Sequence, residues 1–339
     1  MKIGPPPYWV QVVLRFVYPP LAVLVTVAAL PLIALGVLLW PLDRRMRLAR
    51  VVFLAVYFMW EDVSILVQCM WLRVRSPVDR GEDWIAHHEQ LVAHALENFF
   101  RTAQRVVSFH VVADGEIDLG DPTRPAVVLS RHAGPADSLA LAWIIAAKAR
   151  RVPRVVLAAG LLWDPGLALV LRRLRAYFVP SRSGAGDDRT KGVADLARGL
   201  APRDALLIFP EGRNWTMHRQ QAGVEALRAE GEHERAEQAA RWRWVLPPRQ
   251  RGVQAILEAR PDADVVVVAH TGLELFDSPG DIWRGIPFGP TEGLVVRTTT
   301  YPAGDVPRDP DEVATWLDER WTEVDAWVES HRRPGLRGS

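Results

Sequence analysis

Hydrophobic and polar positions divide the chain into three regimes. The first is nearly continuous apolar sequence: residues 21–39, LAVLVTVAALPLIALGVLL, carry no charge over 19 positions, enough for a membrane-spanning helix. Pro31 and Gly36 weaken such a helix without forbidding it. The run is longer than a signal-peptide core and no small-residue cleavage site follows, so it reads as retained. Arg44, Arg45, Arg47 and Arg50 come next, and arginine-rich flanks favour the cytoplasmic side. A second apolar run, 51–72, has Glu61 and Asp62 in its middle, with Ser64 and Gln68 at helical spacing; that stripe calls for a polar neighbour. Arg73 and Arg75 mark its far flank as cytoplasmic too. Basic flanks on one side predict a hairpin dipping in from the cytoplasmic face, or one span followed by an interfacial helix. A buried hydrophobic hairpin of a soluble core is the competing expectation.

The second regime opens with a helical pattern at 82–106, carrying Trp84, Leu91, Ala95, Phe99 and Ala103 on one side. Short β-branched runs then alternate with helix-like ones. Strands are expected at 108–112, 126–129, 154–158, 177–179, 205–209, 264–269 and 294–299, and helices at 137–149, 164–175, 187–200, 217–241 and 249–259. This alternation predicts an α/β fold with a mixed, largely parallel sheet flanked by helices. Val265 to Val268, four valines in a row, suit a strand buried on both faces.

The third regime is one amphipathic C-terminal helix. Asp309, Pro310 and Glu312 supply N-cap, N1 and N3, and Val313, Trp316, Leu317, Trp321, Val324, Trp327 and Val328 recur at helical spacing. Its greasy face is expected to dock on the sheet. The domain division that follows places membrane helices in 1–78 and the α/β domain in 79–339.

Composition adds limits. The 339 residues carry a net charge of only +1, which gives no case for nucleic acid as a partner. Cys69 is the single cysteine, so neither an internal disulfide nor a Cys-based zinc site is available. His87, His88 and His94 share a predicted helix but are not all within one turn, so no metal site is expected. The 14 tryptophans gather in the N-terminal quarter, around 215–244 and in the last helix, and amphipathic aromatics are favoured at membrane interfaces.

Chemistry concentrates where predicted strands end. In VVLSRHAGPADSLALAW, 127–143, a strand leads into a turn and then a helix, placing His132 at the carboxyl edge where open α/β sheets bind ligands. Five residues on, across Gly134 and Pro135, Asp137 can fold back onto the imidazole. A carboxylate that fixes one ring nitrogen leaves the other free to take a proton from a hydroxyl; Asp137 serving only as a helix cap is the alternative. Ser130 is a poor nucleophile candidate because no Gly-x-Ser-x-Gly elbow surrounds it. LLIFPEGRNWTMHR, 206–219, brings Glu211, Gly212 and Arg213 to another strand exit, and YFVPSRSG, 177–184, brings Arg182. Arginine suits bidentate phosphate binding.

His132-x4-Asp137, an aromatic/Pro/Arg block, Phe209-Pro210-Glu211-Gly212 roughly 70 to 80 residues later, and a valine-rich strand, in that order, resemble the lysophospholipid acyltransferase family, the 1-acylglycerol-3-phosphate acyltransferases. The resemblance covers roughly residues 120–275, and the N-terminal hairpin is similar as well. It implies a glycerolipid acyltransferase-like fold, with acyl-CoA or acyl carrier protein as donor and a membrane lysophospholipid, foremost 1-acylglycerol-3-phosphate, as acceptor. It implies no further cofactor, and a catalytic domain on the cytoplasmic face of the cell membrane. By the same resemblance His132 deprotonates the acceptor hydroxyl and Asp137 holds His132. Arg182 binds the acceptor phosphate, Glu211, Gly212 and Arg213 shape the acceptor site, and Arg249 in LPPRQRG is a second anion ligand. The exit of the valine strand at His270 and Thr271 would lie on the donor side. The chain departs from the family pattern at Arg131, where Asn is usual, at Ser181, at Arg213-Asn214 and at Ala269. Those departures bear on the acceptor headgroup. They leave open acylation of another hydroxyl, such as a glycolipid sugar, and hydrolysis of the donor. From another class, a non-catalytic protein binding anionic lipid through arginines near Arg44 and Arg172 is the rival.

Overall fold

Alternating apolar runs and polar turns form eleven α-helices and seven strands among the described residues of the computed structural model, which are 4–76, 81–134, 136–174, 176–179, 186–272, 274, 279–289 and 293–332. In chain order they are α1 (Tyr8–Leu38), α2 (Arg47–Arg75), α3 (Glu82–Val107), β1 (Val111–Ala113), β2 (Ala126–Ser130), α4 (Asp137–Trp143), β3 (Val152–Ala158), α5 (Pro165–Arg173), β4 (Tyr177–Val179), α6 (Gly186–Arg198), β5 (Asp204–Ile208), α7 (Met217–Ala229), α8 (His233–Arg241), α9 (Gln250–Ala259), β6 (Asp264–Thr271), α10 (Pro279–Gly285), β7 (Leu294–Tyr301) and α11 (Pro310–His331). They belong to two compact units. One comprises Met1–His110, Val156–Gly184 and Trp283–Glu292; the other comprises Val111–Val155, Ala185–Ile282 and Gly293–Ser339. Leu91 of α3 packs with α2 and α5 within the first unit.

In the first unit, α1 and α2 are both long and apolar enough to cross a membrane by length and composition. They approach closely where Gly36 meets Ala49; a Cβ at 36 would collide with the Ala49 backbone nitrogen. Small residues at such crossings let helix backbones pack. Phe16, Leu24, Val27, Leu30 and Leu38 of α1 stay exposed. The core joins Ile65, Leu66 and Cys69 of α2 to Leu91 of α3 and Leu169, Val170 and Leu174 of α5. The acidic stripe of the second apolar run does not share one face. Asp62 turns inward and accepts the Gly166 and Leu167 amides at 3.2 and 2.9 Å, capping the start of α5 beside its N-cap Asp164. Glu61 accepts from Tyr57 at 2.7 Å, while Gln68 and Ser64 pair on the exposed side at 2.9 Å.

In the second unit the sheet order is β1-β7-β6-β2-β5-β3, with the end of β3 pairing β4 in the first unit. All pairings are parallel except β6 with β7, so the sheet is mixed and largely parallel. β2, β5 and β6 are buried along their whole lengths, as continuous apolar runs covered on both faces must be. Their parallel registers, Leu129↔Ile208 and Ser130↔Val268, bring the exits of all three strands to one edge. At the opposite edge Arg151 gathers the carbonyls of Gly120, Asp121 and Arg124 at 2.9, 2.6 and 2.8 Å. That buried charge is satisfied by backbone oxygens.

Three expected elements differ. The first strand is 111–113 rather than 108–112, because Ser108 takes a left-handed conformation at the end of α3. The helix expected at 217–241 breaks into α7 and α8 at Gly231, φ +83°, where glycine carries no Cβ penalty. The helix after Asp137 continues beyond α4 as a π-helical turn, Ile144–Lys148. The C-terminal helix forms as expected: Asp309 accepts the Asp311 and Glu312 amides at 2.9 and 3.3 Å, and Trp316, Leu317 and Trp321 are buried.

Candidate active site

The exit of β2 carries Ser130, Arg131 and His132. Because α4 begins only five residues later, the turn brings Asp137 back beneath the imidazole: His132 Nδ1 lies 2.9 Å from Asp137 Oδ2. The same oxygen accepts the Gly134 amide at 2.9 Å, and Asp137 is fully buried. Asp137 therefore holds the histidine, and the N-cap position belongs to Ala136, which makes no side-chain cap bond. His132 keeps 19% of its side chain accessible. Phe209, at the exit of β5, stacks on its ring at 4.3 Å between centroids, and the His132 carbonyl accepts the Trp215 amide at 2.6 Å. Ring and backbone are thus fixed from both sides.

Ser130 is buried and donates to the Arg131 carbonyl at 3.1 Å. Glu211 is only 3% exposed. It accepts the Trp321 indole N–H at 3.3 Å and faces the backbone amides of His132 and Leu246. Burial outweighs the Arg131 charge and these donors and pushes its pKa from 4.5 up to about 8. Glu211 supports the His132 turn from within, and its side chain does not present a charge to solvent.

This raised pKa predicts a pH dependence of stability. Folding favours the protonated acid, so the contribution is full below pH 4.5 and is lost as pH rises through about 8. Glu211→Gln, permanently neutral, is expected to flatten unfolding stability across that window, as measured by denaturant titration at several pH values. An unchanged pH slope would contradict the assignment.

The Glu-Gly turn also receives the LPPRQRG segment. The Arg249 amide donates to the Pro210 carbonyl at 2.9 Å, and a Cβ on Gly212, φ +67°, would sit 3.0 Å from the Arg249 Cζ. Glycine suits both the left-handed backbone and the close approach of the guanidinium at that face. Glu211, Gly212, Arg213 and Arg249 line one cleft of about 1020 Å³, which also takes in His218 and Arg251. The structure brings Glu211, Gly212, Arg213 and Arg249 together in this cleft; His132 and Asp137 do not line it, and His132 adjoins it through its stacking on Phe209. Arg182 lies outside the described residues.

His270 and Thr271, expected on the donor side, are both buried at the end of the inner strand β6. Arg44 and Arg172, the centres of the lipid-binding alternative, are exposed, while several neighbouring arginines bond backbone carbonyls. Arg45 and Arg47 bond the carbonyls of Arg284 and Ile286 at 3.3 and 3.2 Å, Arg50 bonds the Val106 carbonyl, and Arg173 bonds the Cys69 carbonyl at 2.7 Å. His88, one of the three helical histidines, is occupied at both ring nitrogens, by the Trp84 carbonyl at 2.6 Å and Arg173 at 2.8 Å.

Sequence reasoning missed Glu274, Phe209 and Trp321. Glu274 accepts from Thr271 Oγ1 at 2.5 Å and the Gly272 amide at 2.9 Å. Burial alone would raise its pKa, but the Arg131 charge and the Thr271 hydroxyl bring it below the usual range. Phe209 had a signal, as the residue opening the Pro-Glu-Gly turn. Trp321 had none, since the helix pattern marks it only as apolar.

A family model described as Acyltransferase matches residues 99–269, half of the chain. Among solved structures, the chain is similar to the 1-acyl-sn-glycerophosphate (LPA) acyltransferase PlsC of Thermotoga maritima. The TM-score is 0.54 at 16% identity, covering 86% of this chain and 99% of that one. At that identity the likeness bears on the fold. No curated protein matches in sequence. With the family model spanning α3 to β6 and the fold shared, the chain belongs to the acyltransferase family.

Proposed function

We propose that the protein transfers an acyl chain from a thioester, acyl-CoA or acyl carrier protein, to the free hydroxyl of a membrane lysophospholipid, foremost 1-acylglycerol-3-phosphate, giving phosphatidate. The observation that carries this reading is the His132–Asp137 pair, 2.9 Å apart at a strand exit, beside an arginine-lined cleft. Asp137 sets the tautomer, so the second imidazole nitrogen takes the proton of the attacking hydroxyl. The new C–O bond forms as the C–S bond breaks, and the departing thiolate recovers the proton from the imidazolium. Transfer is direct, since buried Ser130 and Cys69 lack the setting of an activated nucleophile.

Arg213 and Arg249 hold the acceptor phosphate, and Arg182 joins them on the strength of its place in the motif order. Gly212 keeps the turn open for Arg249. The apolar α1 and α2 embed in the membrane that supplies the acceptor, and the flanking arginines put the site on the cytoplasmic face of the cell membrane.

Arg213→Ala and Arg249→Ala are each expected to raise KM for the acceptor by roughly 10- to 100-fold, as for loss of one charge-assisted bond. The kcat should change much less. An effect confined to kcat would remove them from phosphate binding.

The functional test is lipid-product analysis with labelled acyl-CoA and a panel of lysophospholipids and glycolipid sugars. Label in phosphatidate supports the reading. Label only in a glycolipid would replace the acceptor, label only in free acid would make the protein a hydrolase, and no label with either donor would favour a lipid-binding role.

A further inference from the structure

β2 and β6 pair in parallel through Ser130↔Val268, so Arg131, just past the end of β2, lies beside the last residues of β6, where His270 still pairs with Val296 of β7. Each reaches the other's backbone. Arg131 Nη1 donates to the His270 carbonyl at 2.8 Å, and His270 Nε2 meets the Arg131 carbonyl at 3.1 Å. Both side chains are fully buried. A carbonyl oxygen can only accept, so Nε2 carries the proton. That N–H also lies 3.9 Å from Asp137 Oδ2, the oxygen that binds His132.

We propose that His270 is a positioning residue of the active site: its Nε2–H, bonded to the Arg131 carbonyl, stands 3.9 Å from the Asp137 carboxylate and moderates how strongly that carboxylate holds a proton on His132. This rests on the base role of His132. The charged groups around His270 are Asp137 on α4, Arg131 after β2 and Glu274 after β6, with Glu211 beside Arg131. Burial keeps His270 neutral; Asp137 opposes this in part and Arg131 reinforces it. The ring therefore acts as a fixed dipole rather than a second base. The family departure at Arg131 and the histidine one position past Ala269 are thus linked, each side chain bonding the other residue's backbone carbonyl.

An N–H dipole draws negative charge from a carboxylate. Without it Asp137 stabilises the His132 imidazolium more strongly, and His132 takes up its proton at higher pH. Histidine-selective 15N NMR of the full-length protein in micelles reads this directly, without any substrate. In His270→Leu the His132 titration is expected to move up by as much as roughly half a pH unit, less than a full hydrogen bond would give, since the N–H stands 3.9 Å away. His270→Gln, which keeps an N–H at similar reach, should restore it toward the wild-type position. The acid limb of kcat/KM should move with it.

A Leu variant that titrates like wild type would overturn the proposal, as would a Gln variant displaced as far as Leu. If the Leu variant does not fold, the wild-type spectrum decides: His270 protonated at Nε2 supports the proposal, and protonation at Nδ1 overturns it. Absence of acyl transfer in the wild-type protein would instead refute the catalytic reading and leave the titration result standing.

Discussion

His132→Ala is expected to lower kcat by about 10²–10⁴, the range for loss of a general base. The imidazole acts only while the hydroxyl loses its proton, so kcat and kcat/KM should fall together and acceptor KM should stay near its wild-type value. Asp137 cannot substitute. It is fully buried and its bonded oxygen already serves His132 and the Gly134 amide. Steady-state transfer of labelled acyl chains, with circular dichroism to confirm folding, measures this. Unchanged turnover would take His132 out of the mechanism.

Trp321→Ala carries the second large effect, on stability. The indole is entirely buried, and deleting it leaves a cavity under the active-site edge of the sheet. Truncations of this kind cost about 3–5 kcal/mol. Glu211 also loses the indole donor 3.3 Å away, while burial of its carboxyl persists. Denaturant unfolding of the Ala and Phe variants separates the parts: the Phe variant should retain most of the packing and lose about 1 kcal/mol for the hydrogen bond. A loss under about 1 kcal/mol in the Ala variant would mean that α11 is not anchored at Trp321.

Much of the site was legible because its signals are local. His132 and Asp137 are five residues apart, and a turn that short brings them within bonding reach wherever the strand lies in the sheet. The Glu-Gly turn announced itself likewise, because a strand exit with an invited left-handed glycine has few local solutions. The docking of α11 followed from its apolar stripe. Helix division at Gly231 was less visible, since an isolated glycine in a helical pattern is tolerated at modest cost.

Other features depend on partners far along the chain. Arg131 reads like any polar residue at a strand exit, yet it is buried against a carbonyl 139 residues away. Glu211 reads as an acidic ligand, but Trp321, 110 residues on, covers it. Asp62 breaks an apolar helix in the sequence and caps another helix 104 residues later.

By itself, then, the sequence determined the alternating α/β order, the two apolar N-terminal helices, the capped amphipathic C-terminal helix and the pairing of His132 with Asp137. Each depends on hydrophobic period or short spacing, which backbone geometry converts directly into structure. Only the tertiary structure decided which polar groups at the strand exits face the cleft and which are buried behind it. Parallel strand registers set that choice by placing residues distant in sequence side by side, and a buried charge is tolerated only where those neighbours supply its partners.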